Sequence, residues 1–333
     1  MWLFTFATLL PTALLIAAAI FGGAWVAIAL LTITVFTWMV DKLTPSAADP
    51  GAEFPSGDTL SATLALLHLP MLTLAVWAIG GGSGLGIIER LGLLISYGLF
   101  FGQVGHPNAH ELIHRPNRWL RRLGKMVYAT LLIGHHTSAH PLVHHVHVAT
   151  ERDPSSAPRG QGFWRFAPQC WLGGFRAGLD AENKRYANRS QLAHPYLHYT
   201  LIALITLGCA GLMGLGPLLA LLAVAGYAQI QIMLADYVQH YGLRREVLEN
   251  GRIEPVGPQH SWNTPHRYSS AMMLNAPRHS DHHLNPTRPY PGLRLDHQMP
   301  LLPFALPTMA VIALWPRLWR RIMDPRLDAL TQQ

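Results

Sequence analysis

The run Leu274-Asn275-Ala276-Pro277-Arg278-His279-Ser280-Asp281-His282-His283 holds three histidines within five positions. On a helix, His279, His282 and His283 stand at i, i+3 and i+4, so their rings leave one face and can converge on one metal ion. Three more segments bring imidazoles. His110-Glu111-Leu112-Ile113-His114 sets two at i and i+4. The tract from His135 to His147 holds six in thirteen positions. Its two i, i+4 registers, His136 with His140 and His140 with His144, leave the choice of ligands open. Asp236-Tyr237-Val238-Gln239-His240 adds a single histidine. These groups supply at least nine candidates, enough for two metal ions with open positions. Imidazole suits iron, copper, zinc and nickel, whereas Cys170 and Cys209 make no CxxC pair and support neither a thiolate site nor a disulfide framework. No Asp or Glu stands at a regular ligand spacing inside the groups, which favours an all-imidazole centre over the carboxylate-bridged ExxH bundles.

Each segment has a competing reading. His110 to His114 matches the HExxH of zinc proteases letter for letter, but such an enzyme needs one further ligand and a soluble peptide cleft, and this chain supplies several histidine groups instead. A histidine-rich storage tract is polar and disordered, whereas the second group has Leu142, Val143 and Val146 among its imidazoles. A membrane metal transporter would spread its ligands along a path rather than gather them at one face.

The elements that must position these residues are membrane spans. The chain has 333 residues, 50% of them hydrophobic and only 13% charged, with a mean hydropathy of +0.19, too apolar for a soluble enzyme of this size. Residues 2–40 contain no Asp, Glu, Lys or Arg, and Pro11 and Phe21-Gly22-Gly23 interrupt them. Two spans are expected there, at 2–19 and 23–40. A signal peptide would need a basic leading region and a polar mature chain. A polar linker from Asp41 to Asp58 follows. Further hairpins at 60–79 with 91–109 and at 197–213 with 217–238 bring the total to about six spans, all within one domain of residues 1–333. His68 falls mid-span, where a hydrogen bond inside the bundle is the expected role.

All but two of the 25 Lys and Arg residues lie in 106–195 and 240–333. The positive-inside tendency places the polar segments 110–195 and 240–333, and both termini, in the cytoplasm. The net charge of +7 is thereby explained by a membrane face, and no nucleic-acid partner is expected. The expectation is an all-α integral membrane protein with a cytoplasmic histidine-rich cap.

HELIHR at 110–115, HPLVHHVHVAT with ERDPSSAPRG at 140–160, DYVQHYGL at 236–243, PQHSWNTPH at 258–266 and RHSDHHLNPTRPY at 278–290 resemble the histidine boxes of the membrane-bound alkane hydroxylases. These are integral-membrane non-haem di-iron monooxygenases of the wider fatty acid desaturase and hydroxylase superfamily. The likeness runs in order from about residue 20 to Pro325 and includes Trp319-Arg320-Arg321-Ile322-Met323-Asp324-Pro325. It implies iron ligands at His110, His114, His140, His144, His145, His240, His279, His282 and His283, with two Fe as cofactor and O2 as co-substrate. His135, His136 and His147 become supporting or solvent-facing residues, Asp281 a support for the ligands, and His260 and His266 either position the site, receive electrons or serve the structure alone. The chain departs from the family pattern at Ala139 and Gln239, where Glu is usual, at Val143, where Gly is usual, and at Ala276-Pro277, where Leu-Gln is usual. None removes a ligand, but groups behind metal-bound imidazoles orient them, so the substrate is where these changes tell.

The resemblance implies hydroxylation of the terminal or methyl carbon of a hydrophobic substrate arriving from the bilayer, an n-alkane first. Hydroxylation or desaturation of fatty acyl lipids, or of alkylaromatic methyl groups, is the nearest alternative. The chain has no Rossmann fingerprint, CxxC pair or flavin motif, so electrons must come from outside, and the resemblance implies a rubredoxin or ferredoxin-type donor with its reductase. Arg244, Arg245, Arg252 and Arg267 either form a docking patch for an acidic donor or only mark the cytoplasmic face. The implied location is the bacterial inner membrane, with the site facing the cytoplasm; a homo-oligomer is compatible with all of this.

Overall fold

The computed structural model describes residues 1–44 and 57–330, whose regular elements are all helices, with no strand among them. Six helices are long and apolar enough to cross a membrane: α1 (Trp2–Phe21), α2 (Ala24–Leu43), α3 (Asp58–Ile79), α4 (Ile87–Ile113), then, later in the chain, Pro195–Leu212 and Leu215–His240. Apolar spans must satisfy every polar group internally, and α1 shows how: the hydroxyls of Thr8 and Thr12 donate to the carbonyls of Phe4 and Thr8, at 2.7 and 2.8 Å. Gly22 and Gly23 turn the chain with φ of 60° and 57°. Glu89 accepts the amides of Gly23 at 2.6 Å and Gly86 at 2.8 Å, tying the first hairpin to the start of α4. The polar linker begins later than expected, because Asp41 belongs to the last turn of α2 and caps a distant helix. Its Oδ1 accepts the amides of Tyr268 and Ser269 at 2.8 and 3.1 Å. Most of that linker, residues 45–56, lies outside the described residues.

The polar segment after α4 folds back into the bundle. α5 (Arg118–Thr130) starts at an Asn117 cap, whose Oδ1 accepts the Trp119 amide at 2.8 Å. It then packs tightly along α4, since a Cβ on Gly124 would sit 2.8 Å from the Ala109 carbonyl. Its end reaches mid-span, where Thr130 Oγ1 meets His68 Nε2 of α3 at 2.8 Å. The chain returns as α6 (136–147), runs along the face as α7 (Phe163–Tyr186), and re-enters as α8 (Pro195–Leu212) and α9 (Leu215–His240). α4 and α9 approach closely through glycines: a Cβ on Gly98 would stand 1.9 Å from the Tyr227 ring, and one on Gly102 2.3 Å from Gln231 Cβ. The two spans that end in His110 and His240 are thereby held side by side.

Two short helices, α10 (Arg267–Met272) and α11 (His279–Leu284), follow, then α12 (Leu306–Ala313) and α13 (Pro316–Leu330). α13 buries Trp319 fully, with its ring 5.1 Å from Tyr237 and 5.4 Å from Tyr241. Tyr241 donates its hydroxyl to Asp324 at 2.8 Å. The WRRIMDP motif thus clamps the chain just beyond His240.

Candidate metal centre

The histidines come together where α4, α6, α9 and α11 meet, in two groups. His110, His114, His140, His145 and His282 form one; His144, His240, His279 and His283 form the other, with the ligand atoms of each within 4.8 Å of one another. α6 and α11 serve both. In α11 the geometry corrects the expectation that three rings meet one ion. Residues at i and i+4 lie nearly in line on a helix, whereas i+3 and i+4 are about 100° apart. His279 and His283 therefore share a group, at 3.2 Å between Nε2 atoms, while His282 turns to His145 at 3.0 Å.

α6 divides its imidazoles by a different device. Residues His140–His144 form a π-helical turn, whose wider register brings i and i+5 together. His140 and His145 then face each other, Nε2 to Nε2 at 2.9 Å, and His144 points the other way, its ring 4.7 Å from that of His240. Neither i, i+4 register read from the sequence describes this pairing. A second π-turn, Phe101–Gly105, lies just ahead of His106 and His110.

These contacts suit a metal better than a hydrogen-bond network. A neutral imidazole has one donor and one acceptor nitrogen, yet His145 Nε2 faces the Nε2 atoms of both His140 and His282, and His279 Nε2 faces those of both His240 and His283. One nitrogen cannot serve two such partners well. Nε2 of His110, His114 and His144 is buried with no hydrogen-bond partner at all. Burial keeps the rings neutral and able to ligate: it lowers the pKa of His114 to about 4, helped by nearby His144 and Arg115, and that of His279 to about 3. His144 differs. Burial lowers its pKa too, but Asp153 overrides burial and leaves it above the ordinary value.

Asp153 is the residue that sequence reasoning missed. Its Oδ2 accepts His144 Nδ1 at 2.8 Å and the Ser156 hydroxyl at 2.6 Å, and its Oδ1 accepts the Ser155 amide at 3.1 Å. Such a carboxylate fixes the tautomer and aim of a ligating imidazole. The signal was the Asp-Pro-Ser-Ser turn, which lies nine residues beyond its partner and shares no helical face with it. Asp281, by contrast, does not support the histidines. It accepts from Arg288 at 2.6 Å, Asn285 at 2.9 Å and the Arg294 amide at 2.8 Å, and so braces the following loop. Glu111 likewise turns to Arg115 at 2.9 Å and the Tyr290 amide at 3.2 Å, away from the imidazoles, which removes the base a zinc protease would need.

The remaining histidines sit around this core. His136 stacks on His140 with ring centres 5.1 Å apart, and His135 abuts Trp171 at 4.9 Å. His147 is partly exposed. His260 bonds Glu254 at 2.9 Å and the Gly257 amide at 2.8 Å, a loop brace, and His266 precedes α10 half-buried. Arg244 donates to the Ser156 carbonyl and Arg245 to those of Glu254 and Val146, so both are engaged within the protein; Arg252 and Arg267 are exposed.

A narrow cavity of about 40 Å³ lies beside the centre, lined by His110 and His140 of one group, His279 of the other, apolar Met273, Leu306 and Ala310, and polar Gln103, Gln231 and Asp236. Gln239 and Ala276 share its wall, with Gln239 Nε2 donating to the Ala276 carbonyl at 3.0 Å. Ala139 and Val143 line a separate, smaller space under α7.

Six spans closed by a histidine-rich cap define a polytopic membrane protein built around a nitrogen-ligated metal centre. The sequence profile of the fatty acid desaturase family matches residues 89–313. Alkane 1-monooxygenase 2 of Pseudomonas aeruginosa is 33% identical over 276 residues, 80% of this chain and 72% of its own length. Alkane 1-monooxygenase 1 of the same organism is 32% identical over 296 residues, covering 86% and 78%. The hydroxylase component of a xylene/toluene monooxygenase from Pseudomonas putida is 24% identical over 319 residues, covering 92% and 84%. The chain belongs to the fatty acid desaturase family, on its alkane hydroxylase branch, and is an oxidoreductase.

Proposed function

We propose that this enzyme is an O2-dependent monooxygenase that hydroxylates the terminal or methyl carbon of a hydrophobic molecule, an n-alkane first, at a centre of two non-haem irons. The observation that carries this reading is the cavity. It touches both histidine groups at once, through His110 and His140 on one side and His279 on the other, and Met273, Leu306, Pro307 and Ala310 give it an apolar side opposite Gln103, Gln231 and Asp236. His110, His114, His140, His145 and His282 would hold one iron, and His144, His240, His279 and His283 the other. When bound, such a pair supplies reduction of O2 and cleavage of an unactivated C–H bond.

The chain's own residues select and position the substrate. Met273, Leu306 and Ala310 offer no polar partner and favour a hydrocarbon. The Gln239 bond to Ala276 ties two ligand-bearing segments together on the cavity wall, where Asp236 is the carboxylate. Asp153 holds His144 with Nδ1 protonated and Nε2 free.

Electrons come from a separate rubredoxin or ferredoxin-type protein with its reductase, docking on the basic face where Arg252 and Arg267 are exposed. That face is the cytoplasmic side of a bacterial inner membrane in this reading, on the strength of the Lys and Arg asymmetry.

The test is product analysis in cells supplied with octane, hexadecane, p-xylene or a fatty acid together with a rubredoxin pair, combined with metal analysis of the purified protein. Primary alcohols from alkanes and about two irons per chain are expected. A desaturated lipid as sole product would replace the reaction, and active protein with less than one iron per chain would overturn the centre.

A further inference from the structure

Away from the metal centre, two cavities lie end to end along α5 and α8. The first, about 460 Å³, is lined by Arg118, Arg121, Arg122 and Lys125 of α5, with Arg185 and Glu182 of α7 opposite and Tyr199 of α8 beside them. The second, about 360 Å³, continues down the same two helices through Met126 and Thr130 of α5 and Ile202, Ile205 and Cys209 of α8, and is closed by Leu72 of α3.

Charge is unbalanced in the first cavity. Its one carboxylate, Glu182, is buried and already engaged by Arg185 at 3.0 Å and the Ser138 hydroxyl at 2.7 Å. The four cations of α5 form no ion pair among the described residues: Arg121 donates to the carbonyls of Arg115 and Pro116, and Arg122 lies over the Trp119 ring at 4.7 Å. Half-burial and the neighbouring Arg122 push the Lys125 ammonium below its ordinary pKa, as expected for cations gathered without an anion. Trp119 is 71% exposed beside them, an aromatic anchor of the kind that sits at the headgroup level.

The second cavity has the dimensions of a lipid tail. From Ile202 to Met213, α8 rises by about 16 Å, close to the hydrocarbon depth of one leaflet, roughly 15 Å. Its lining is apolar apart from threonine hydroxyls and the Cys209 thiol.

We propose that the paired cavities bind one anionic phospholipid, with the phosphate between the arginines of α5 and Arg185 and an acyl chain in the cleft between α3, α5 and α8. Basic pockets between helices at a membrane face recognise such headgroups. A folded protein partner could meet the arginines but could not fill the cleft, and a bare alkane could fill the cleft but would ignore the arginines. The site does not depend on the reaction assigned above.

The full-length protein in nanodiscs of phosphatidylcholine doped with phosphatidylglycerol tests this, with native mass spectrometry after detergent extraction reporting the lipid retained. One phosphatidylglycerol per chain is expected. Each cation near the surface contributes on the order of a fivefold preference for anionic lipid, so R122Q/K125Q should weaken retention by about 25-fold. Thr206→Trp, which fills the cleft and leaves every charge in place, should also weaken phosphatidylglycerol retention. Equal retention of phosphatidylcholine, unchanged retention in either variant, or full competition by inorganic phosphate would overturn the proposal. So would a loss of coupling to the electron donor in R122Q/K125Q with lipid retention intact.

Discussion

Replacing Asp153 by Asn tests how the second histidine group is held, and the structure dictates why the isostere fails. Asp153 Oδ2 accepts two donors, His144 Nδ1 and the Ser156 hydroxyl, while Oδ1 accepts the Ser155 amide. An amide has only one oxygen. If that oxygen faces His144, the NH2 confronts the Ser155 N–H; if it faces Ser155, the NH2 confronts His144 and drives the ring into the tautomer with its proton on Nε2, where a metal must bind. The loss is one charge-assisted hydrogen bond in a buried place, about 1.5–3 kcal/mol, equivalent to about 10- to 150-fold in metal affinity. The assay is metal content of purified protein before and after a graded chelator challenge, with circular dichroism to show that the helices persist. Asp153→Asn should fall from about two irons per chain towards about one as chelator rises, well before the wild type does. Two chelator-resistant irons in the variant would refute the claim that Asp153 governs His144.

Three further outcomes follow from the same geometry. His282→Ala removes an imidazole shared between His110, His140 and His145 and should abolish hydroxylation, whereas His297→Ala, at an 88% exposed side chain, should leave it unchanged; full activity of His282→Ala in a whole-cell alkane assay would count against the first group. Gly124→Val places a side chain against the Ala109 carbonyl and Leu112, costing about 1–3 kcal/mol of overpacking. A lower thermal midpoint in detergent is expected, and an unchanged one would mean α5 does not lie on α4 this closely. Gln239→Glu replaces a donor by an acceptor facing the Ala276 carbonyl, with a cost of about 1–3 kcal/mol for the stranded polar groups. It should change the distribution of alkane chain lengths oxidised, which gas chromatography of the alcohols reads directly.

Much of this architecture was legible because membranes punish ambiguity. Long uncharged runs broken by Gly22-Gly23, Gly80 to Gly84 and Gly214-Leu215-Gly216 admit few readings, and six helices among the described residues are long and apolar enough to cross a membrane. The histidine-bearing segments were legible through residue type and density. What could not be read was any feature set by contact between distant segments. The π-turn that parts His144 from His140 and His145 has no composition of its own, since φ and ψ differ little from those of the α-helix around it. Asp153 reaches His144 only because Asp153-Pro154-Ser155-Ser156 curls back under α6. Arg244 and Arg245 looked like docking charges by type alone and proved to be occupied by backbone carbonyls. α5 was hidden by its own arginines: an amphipathic helix with four cations scores as a surface segment, although its opposite face packs against α3 and α4.

The four departures from the family's histidine boxes fall into two pairs with different physical meanings. Ala139 lies under α7, where Gly178 passes so close that a Cβ on it would be 3.1 Å from the Ala139 Cβ, and Val143 fills the space beside it. A glutamate at 139 would push α7 away, so this pair belongs to packing, and the glycine of α7 and the alanine of α6 permit each other. Gln239 and Ala276 instead meet across the cavity wall between two ligand segments, bonded to each other at 3.0 Å. A glutamate at 239 could make that bond only if protonated, so glutamine there adds no second carboxyl group to a wall that already holds Asp236. Each of these residues immediately precedes or lies three before a histidine of the second group. A change in this pair therefore acts on the shape of the cavity and on the aim of His240 and His279 together, while a change at 139 or 143 must first move a helix.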